Sequence, residues 1–145
     1  MSPLLALGAI GVLLIIGLTL GFVVRLSDGR RTTSDTVHFA PEDAGGAELG
    51  GRATLVQFST ETCARCPQVR RLLTQYAAEH DDVRHIEIDL SHRPDLSARY
   101  KVLQTPTTFV VDGRGAVLSR FHGVPSRQNL AAAVAEISDR PQVSA

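Results

Sequence analysis

Hydrophobic and polar residues divide the chain into two unequal parts. The first part, residues 4–24, is apolar apart from one threonine, and about 20 such residues cross a bilayer as an α-helix. A cleaved signal peptide is the alternative. It would have a basic start, a shorter apolar core and a small-residue cleavage site, and this segment does not fit those criteria. We therefore predict one retained N-terminal transmembrane anchor over residues 1–26.

The second part alternates between short apolar runs and amphipathic stretches. The pattern predicts strands at residues 54–58, 83–89, 107–111 and 116–121, and helices at residues 67–79, 95–100 and 126–137, with a turn at 112–115. Strands separated by helices run parallel, whereas strands joined by a tight turn run antiparallel. The sequence thus predicts an α/β domain over residues 52–138, with a central mixed sheet flanked by helices.

The segment between the two parts, residues 27–51, is rich in Gly, Thr, Asp and Ala. This composition predicts a flexible tether. One short strand near Val37 is also indicated, so an alternative start of the domain lies near residue 37. Residues 139–145 are predicted to form a tail.

The charged residues limit the classes of possible partner and indicate the orientation of the protein in the membrane. Fifteen basic residues balance fifteen acidic ones, aromatic residues make up 5% of the chain, and there is no Trp, which argues against a nucleic-acid partner. Arg25, Arg30 and Arg31 follow the apolar segment, and no Lys or Arg precedes it. Because basic residues beside a membrane segment stay in the cytoplasm, we predict a single-pass protein of the cell membrane with a cytoplasmic domain. The extracytoplasmic orientation is the alternative.

Both cysteines of the chain, Cys63 and Cys66, lie where a predicted strand passes into a predicted helix. Unpaired main-chain N–H groups and the positive end of the helix dipole stabilise an anion at such a position. Two intervening residues leave both sulfurs within reach of one disulfide. The motif therefore predicts thiol–disulfide exchange.

Three features in this order resemble the thioredoxin superfamily. They are the Cys63–Cys66 motif at the strand-to-helix junction, Thr105-Pro106-Thr107 at the start of the next-to-last strand, and His122-Gly123 before the last helix. The resemblance covers roughly residues 37–138 and implies a thioredoxin-like fold. With the leading apolar helix, the layout is similar to that of bacterial membrane-anchored thioredoxin-like proteins.

The resemblance also implies roles for individual residues. Cys63 would be the attacking thiol and Cys66 the resolving one, with no cofactor beyond their disulfide. Pro106 would follow a cis peptide bond, so that Thr105 presents main-chain groups to a substrate, and Gly123 would lie in the substrate-facing loop. The implied partners are protein or small-molecule thiols and disulfides, together with a reductase or oxidant that recharges the pair.

Some positions depart from the family pattern. The buried acid of the family corresponds to Gln57 and its lysine partner corresponds to His85, and Thr62 replaces the usual Trp. Losing a buried carboxylate near the thiols favours thiolate, and Arg65 between the cysteines acts in the same direction. We therefore predict that Gln57, His85 and Arg65 tune the redox pair. For His85 the alternative is a core polar position, and for Arg65 it is an exposed surface side chain.

Other functions fit parts of the pattern. Cys63 and Cys66, followed by His80 and His85, satisfy a two-Cys, two-His zinc-finger spacing. However, the predicted helix lies between the two pairs, contrary to a zinc finger, and no metal site is predicted. A redox-silent or metal-binding module that docks a membrane partner is the alternative from another class. A reductant for cytochrome maturation outside the cytoplasm would require the opposite topology.

Overall fold

The computed structural model describes residues 2–27, 29–33 and 37–139. Its first helix, α1 (Pro3–Ser27), contains an apolar stretch, Pro3–Val23, that is long enough to cross a membrane. This stretch is not buried against the rest of the described chain. A helix of this kind fits a membrane span, and a signal sequence has the same form.

Five strands form one mixed sheet in the order β1-β5-β4-β2-β3. They are β1 (Arg30–Thr33), β2 (Ala53–Ser59), β3 (Val83–Asp89), β4 (Thr107–Asp112) and β5 (Val117–His122). β2 and β3 run parallel, and the other neighbouring pairs run antiparallel. The parallel pair is joined through a helix and the β4–β5 pair through a tight turn, so the predicted mixed α/β sheet is confirmed.

Three further helices cover the two faces of the sheet. They are α2 (Cys66–Ala78), α3 (Pro94–Arg99) and α4 (Arg127–Asp139). Successive side chains of a strand point to opposite faces, and both faces of β2 are buried. Val56 and Phe58 belong to the core that also contains Leu96 of α3, whereas Leu55 belongs to the core that contains Leu73 of α2. This explains why the large apolar residues of β2, Leu55, Val56 and Phe58, are not confined to one face of the strand.

The structure differs from the tether predicted for residues 27–51. β1 lies within this segment and pairs with β5, from Arg30 opposite His122 to Thr33 opposite Ser119. The sequence did not indicate β1 because its four residues are all polar and show no alternation. An edge strand of this kind is held through main-chain pairing, which leaves no pattern in the side chains.

The rest of the predicted tether also packs on the domain. Phe39 is 1% exposed and belongs to the core on the α3 side. In place of the strand predicted near Val37, His38 forms an isolated bridge with Ala116. Residues 28 and 34–36 of the predicted tether, and residues 140–145 of the predicted tail, lie outside the described residues.

The strand directions give the sheet two distinct ends. Pairing brings Ser59, Thr107 and His122 to one end, which we call the site end. Ala53 and Asp112 are paired at the opposite end, which we call the turn end. The first residue of β1, Arg30, pairs with His122 and therefore also lies at the site end.

Candidate active site

The two cysteines lie at the site end of the sheet, between β2 and α2. Cys63 is half-buried in the loop that follows β2, whereas Cys66 is the first residue of α2 and is only 3% exposed. Their sulfurs are bonded to each other, and their Cα atoms are 5.5 Å apart. The structure thus brings together the predicted redox pair, with Cys63 more exposed than Cys66.

Hydrogen bonds of the loop main chain hold Cys63 at this position. The Cys63 N–H donates to the Thr60 carbonyl at 3.1 Å, and the Cys66 N–H donates to the Cys63 carbonyl at 3.3 Å. Arg65 is exposed and precedes the helix, and its carbonyl accepts from the Val69 N–H in the first helical turn. These bonds place the motif at the helix start that the sequence predicts.

The second predicted element of the site is the loop before β4. The Thr105–Pro106 peptide bond is cis. The side-chain oxygens of Thr105 and Thr60 are 3.2 Å apart, which ties this loop to the loop that carries Cys63. Within the described residues, the main-chain N–H and carbonyl of Thr105 form no hydrogen bond.

Gly123 lies beside the same loop. Its N–H donates to the Pro106 carbonyl at 2.9 Å, and the residue is buried with a φ of +76°. Only glycine adopts a positive φ of this size without steric cost. In this structure Gly123 positions Pro106, and a direct contact with substrate stays a prediction.

Gln57 forms a buried link between the helix start and β3. It is fully buried, and its Nε2 donates to the Cys66 carbonyl at 3.0 Å. Its Oε1 lies 3.2 Å from Nε2 of His85, whose Nδ1 lies 3.1 Å from the Thr74 hydroxyl oxygen. Two of the three predicted tuning residues are therefore joined to each other and, through a carbonyl, to Cys66, the predicted resolving cysteine.

Electrostatics around His85 favour its neutral form. Burial lowers the pKa of His85, and the nearby Arg70 acts in the same direction, against the opposing effect of Glu87. A neutral imidazole fits its position beside the uncharged Gln57 amide. Around Gln57, the described structure therefore has a neutral network where the resemblance leads one to expect an acid.

A cleft of about 470 Å³ opens beside the cysteines. It is lined by Ser59, Thr60, Glu61, Cys63, Cys66, Pro67, Arg70, Glu87 and Asp89. Arg70 donates to both carboxylate oxygens of Glu87, one of them at 2.7 Å. That pairing, aided by Ser59, lowers the pKa of Glu87, so the cleft carries an ion pair and a further carboxylate, Asp89.

Sequence reasoning missed this cleft and the contacts of Thr60 and Thr74. A signal for part of it existed: Arg70 lies four residues after Cys66, and Glu87 lies two residues after His85. Residues four apart share a helix face, and residues two apart share a strand face. The ion pair could therefore have been placed beside the thiols once α2 and β3 were known to be neighbours.

The zinc-finger spacing does not correspond to a cluster in the structure. His80 follows the C-terminal end of α2, where its Nδ1 lies 2.8 Å from the Tyr76 carbonyl oxygen and its ring stacks on Tyr76. Cys66 is at the other end of that helix, about 20 Å away at 1.5 Å per residue. Among residues 2–27, 29–33 and 37–139, no three His, Cys, Asp or Glu side chains form a group that could hold a metal ion.

Comparison with solved structures shows the fold. The chain is similar to oxidized mitochondrial thioredoxin 3 of Saccharomyces cerevisiae, with 20% identity and a TM-score of 0.51 over 59% of this chain and 79% of that one. It is similar to a chloroplastic thioredoxin z, with 24% identity and a TM-score of 0.55 over 62% and 81%. For Fasciola hepatica thioredoxin the values are 23%, 0.52, 60% and 82%.

Comparison with protein families is more specific. No curated protein matches the chain, and the resemblance to bacterial membrane-anchored proteins stays a prediction. The Thioredoxin family model matches residues 48–136, which is more than half of the chain. This match includes both cysteines, Pro106 and Gly123, and the chain accordingly belongs to the thioredoxin family.

Proposed function

We propose that the protein is a membrane-anchored thiol–disulfide oxidoreductase that uses Cys63 and Cys66 as its redox pair and needs no other cofactor. The observation that carries the proposal is the unequal exposure of two cysteines whose sulfurs are bonded to each other at a helix start. A partner sulfur can approach Cys63 from the cleft. Cys66 is covered by the fold and is placed to react with Cys63.

The reaction proceeds through a mixed disulfide. In the reducing direction, the Cys63 thiolate attacks one sulfur of a partner disulfide, and the other partner sulfur leaves as a thiolate. The Cys66 thiolate then attacks the Cys63 sulfur, the intramolecular disulfide forms, and the second partner sulfur leaves. Two electrons pass to the partner, and the two protons of the reduced pair end on its sulfurs. The reverse sequence oxidises a dithiol, and the recharging reductase or oxidant sets the direction.

The partner's main chain has a docking position beside the sulfurs. The N–H and carbonyl of Thr105 are uncommitted within the described residues, and the half-buried Thr105 is tied to the Cys63 loop through Thr60. An extended peptide that pairs with Thr105 would place its own cysteine near Cys63. This favours protein disulfides as partners and also leaves room for small thiols in the open cleft.

Redox equilibration of the full chain in detergent micelles tests the activity. The protein is incubated in glutathione buffers of graded composition, and the oxidised fraction is read from the mass added by thiol alkylation. We expect a single two-electron transition, together with reduction of insulin when dithiothreitol recharges the pair. Absence of exchange, with one zinc bound per chain, would instead favour the redox-silent or metal-binding alternative.

The membrane location is a second part of the proposal. It is supported by the apolar stretch Pro3–Val23 and by Arg25, Arg30 and Arg31 after it, which favour a cytoplasmic domain. An alkaline phosphatase fused to the C-terminus is active only when it is exported. We expect low phosphatase activity in cells and retention of the fusion in alkali-washed membranes. High activity would place the domain outside the cytoplasm, and release from the washed membranes would indicate a cleaved signal sequence.

A further inference from the structure

The chain passes from its apolar helix to the sheet through very few residues. The apolar stretch ends at Val23, α1 continues to Ser27, and β1 begins at Arg30. From Val23 to Ser27 the helix rises about 6 Å, and the three residue steps from Ser27 to Arg30 add at most about 11 Å. The start of β1 is therefore held within about 17 Å of the end of the apolar stretch along the chain.

This connection reaches the sheet at the site end. Arg30 is opposite His122, and His122 is opposite Thr107, the first residue of β4 after the Thr105–Pro106 loop. From β1 to β2, the strand before Cys63, there are three strand spacings. At about 4.8 Å each, the end of β2 lies roughly 14 Å to the side of the connection.

Gly29 fastens the connection to the loop that supports Pro106. Its N–H donates to the His122 carbonyl at 2.7 Å, and its φ is +72°. A Cβ at this position would lie 2.8 Å from the Val124 carbonyl oxygen. The main chain of Gly29 thus lies close to the residues on either side of Gly123, so Gly29 is part of the site end of the domain.

We propose that the site end of the domain faces the membrane surface and that its partner is an integral membrane protein with reactive cysteines at headgroup depth. This proposal rests on the proposed function and on the anchor. The headgroup layer is about 5–8 Å thick on each side of a bilayer. A connection of at most about 17 Å therefore keeps the start of β1, at the site end, close to that layer, and the exposed Arg25 and Arg30 suit an anionic surface.

Depth-dependent fluorescence quenching tests the orientation without any redox activity. The full-length Cys66→Ser variant is labelled at Cys63 with a small fluorophore and inserted into nanodiscs that contain lipids with nitroxide headgroups. The matched control is Asp81→Cys on a Cys63→Ser, Cys66→Ser background. Asp81 is exposed and precedes β3, so it lies at the turn end. Co-purification with the lipid discs confirms insertion of each variant.

We expect quenching of the label at position 63 to be at least about threefold stronger than quenching at position 81, because the strands separate the two ends by about 20 Å. Equal quenching, or stronger quenching at position 81, would overturn the orientation. Loss of glutathione exchange in micelles, with the quenching difference intact, would instead overturn the proposed function. The two failures are therefore distinguishable.

A second experiment tests the partner class. Disulfide-containing peptides are anchored to the nanodisc lipids through either a short spacer, at headgroup depth, or a flexible spacer of about 20 residues. We expect the full chain to react several-fold faster with the short-spacer peptide. A variant with fifteen Gly and Ser residues inserted between residues 28 and 29 should lose this preference and keep its glutathione exchange. A wild-type preference for the long spacer, or no preference, would overturn the partner assignment.

Discussion

The two ends of the sheet differ in how their polar groups are paired. At the turn end, polar groups pair with other groups of the domain. Arg52 pairs with Asp82, and the Asp112 carboxylate accepts from the N–H groups of Arg114 and Ala116. At the site end, Cys63 is half-exposed and the main chain of Thr105 is uncommitted within the described residues. At the turn end these polar groups are paired within the domain, whereas the site end keeps groups that a partner can reach.

The largest effect is expected from the cysteines at the site end. Cys63→Ser should abolish insulin reduction, because the attacking sulfur is lost. Cys66→Ser should keep the first step and accumulate a mixed disulfide through Cys63, since nothing resolves it. Non-reducing gels followed by mass spectrometry measure both outcomes. Trapping of partners by Cys63→Ser, and not by Cys66→Ser, would reverse the two roles.

At the turn end, Gly50→Ala should cost stability without changing the chemistry. A Cβ there would collide with the Ala53 carbonyl oxygen and lie 2.9 Å from the Arg84 nitrogen, both main-chain atoms of the sheet. We expect a loss of about 2–3 kcal/mol in the free energy of unfolding, the size of an overpacking effect. Urea unfolding of the full chain in micelles, followed by circular dichroism, measures it.

Gly51→Ala is the matched control for this prediction. A Cβ at Gly51 meets nothing within 4 Å, so its unfolding free energy should change little. The glutathione equilibrium of both variants should equal that of the wild type. A Gly50→Ala variant with wild-type stability, or with an altered redox equilibrium, would contradict the prediction that a change at the turn end affects stability and not the redox chemistry of the site end.

The charge of the network next to Cys66 should tune the redox pair. Gln57→Asp introduces a carboxylate that repels thiolate, so we expect the pKa of the Cys63 thiol to rise by about 1 unit, or about 1.4 kcal/mol. The potential should fall by roughly 30 mV. Gln57→Asn has the same shape without the charge and is the control. Thiolate absorbance over pH and equilibration with glutathione measure the two quantities.

The same reasoning predicts the redox potential of the wild-type protein. With a neutral residue at position 57 and Arg65 between the cysteines, the reduced form is favoured. The potential should therefore lie above about −270 mV, the value for thioredoxin. A lower potential, or identical thiol pKa values in Gln57→Asp and Gln57→Asn, would show that this network does not act on the sulfurs.

The smallest expected effect concerns pH and His85. Because the pKa of His85 is lowered in the fold, the unfolded state binds more protons just below pH 6.5, and stability is lost as the pH falls through that range. His85→Gln should remove up to about 1 kcal/mol of this loss between pH 6.5 and pH 5. Urea unfolding at several pH values measures it.

His122, whose pKa is also lowered by burial and by Arg120 and Arg30, contributes a loss of the same sign in every variant. The carboxylates with lowered pKa values titrate below this range. An unchanged pH dependence in His85→Gln would show that His85 is not held neutral by the fold.

The sequence predicted the features that a local pattern records. β2 carries apolar residues on both faces because both faces are buried, α2 follows from its helical periodicity, and the spacing of Cys63 and Cys66 predicts the bonded pair that the structure contains. β1 escaped prediction because Arg30 to Thr33 are held mainly by main-chain pairing with a strand almost 90 residues later. The links from Gln57 through His85 to Thr74 escaped prediction because they depend on which elements become neighbours.

The hydrogen bond from Gln57 to the Cys66 carbonyl determines which ring nitrogen of His85, on β3, carries the hydrogen. A carbonyl only accepts, so the Gln57 amide must turn its NH₂ group to Cys66 and its oxygen to His85. The neutral imidazole therefore carries its hydrogen on Nε2, and Nδ1 accepts from the Thr74 hydroxyl. A further proton can bind only at Nδ1, on the side of the exposed Thr74. Protonation of His85 would therefore take place at the ring nitrogen that faces Thr74, on the side away from Gln57 and the Cys66 carbonyl.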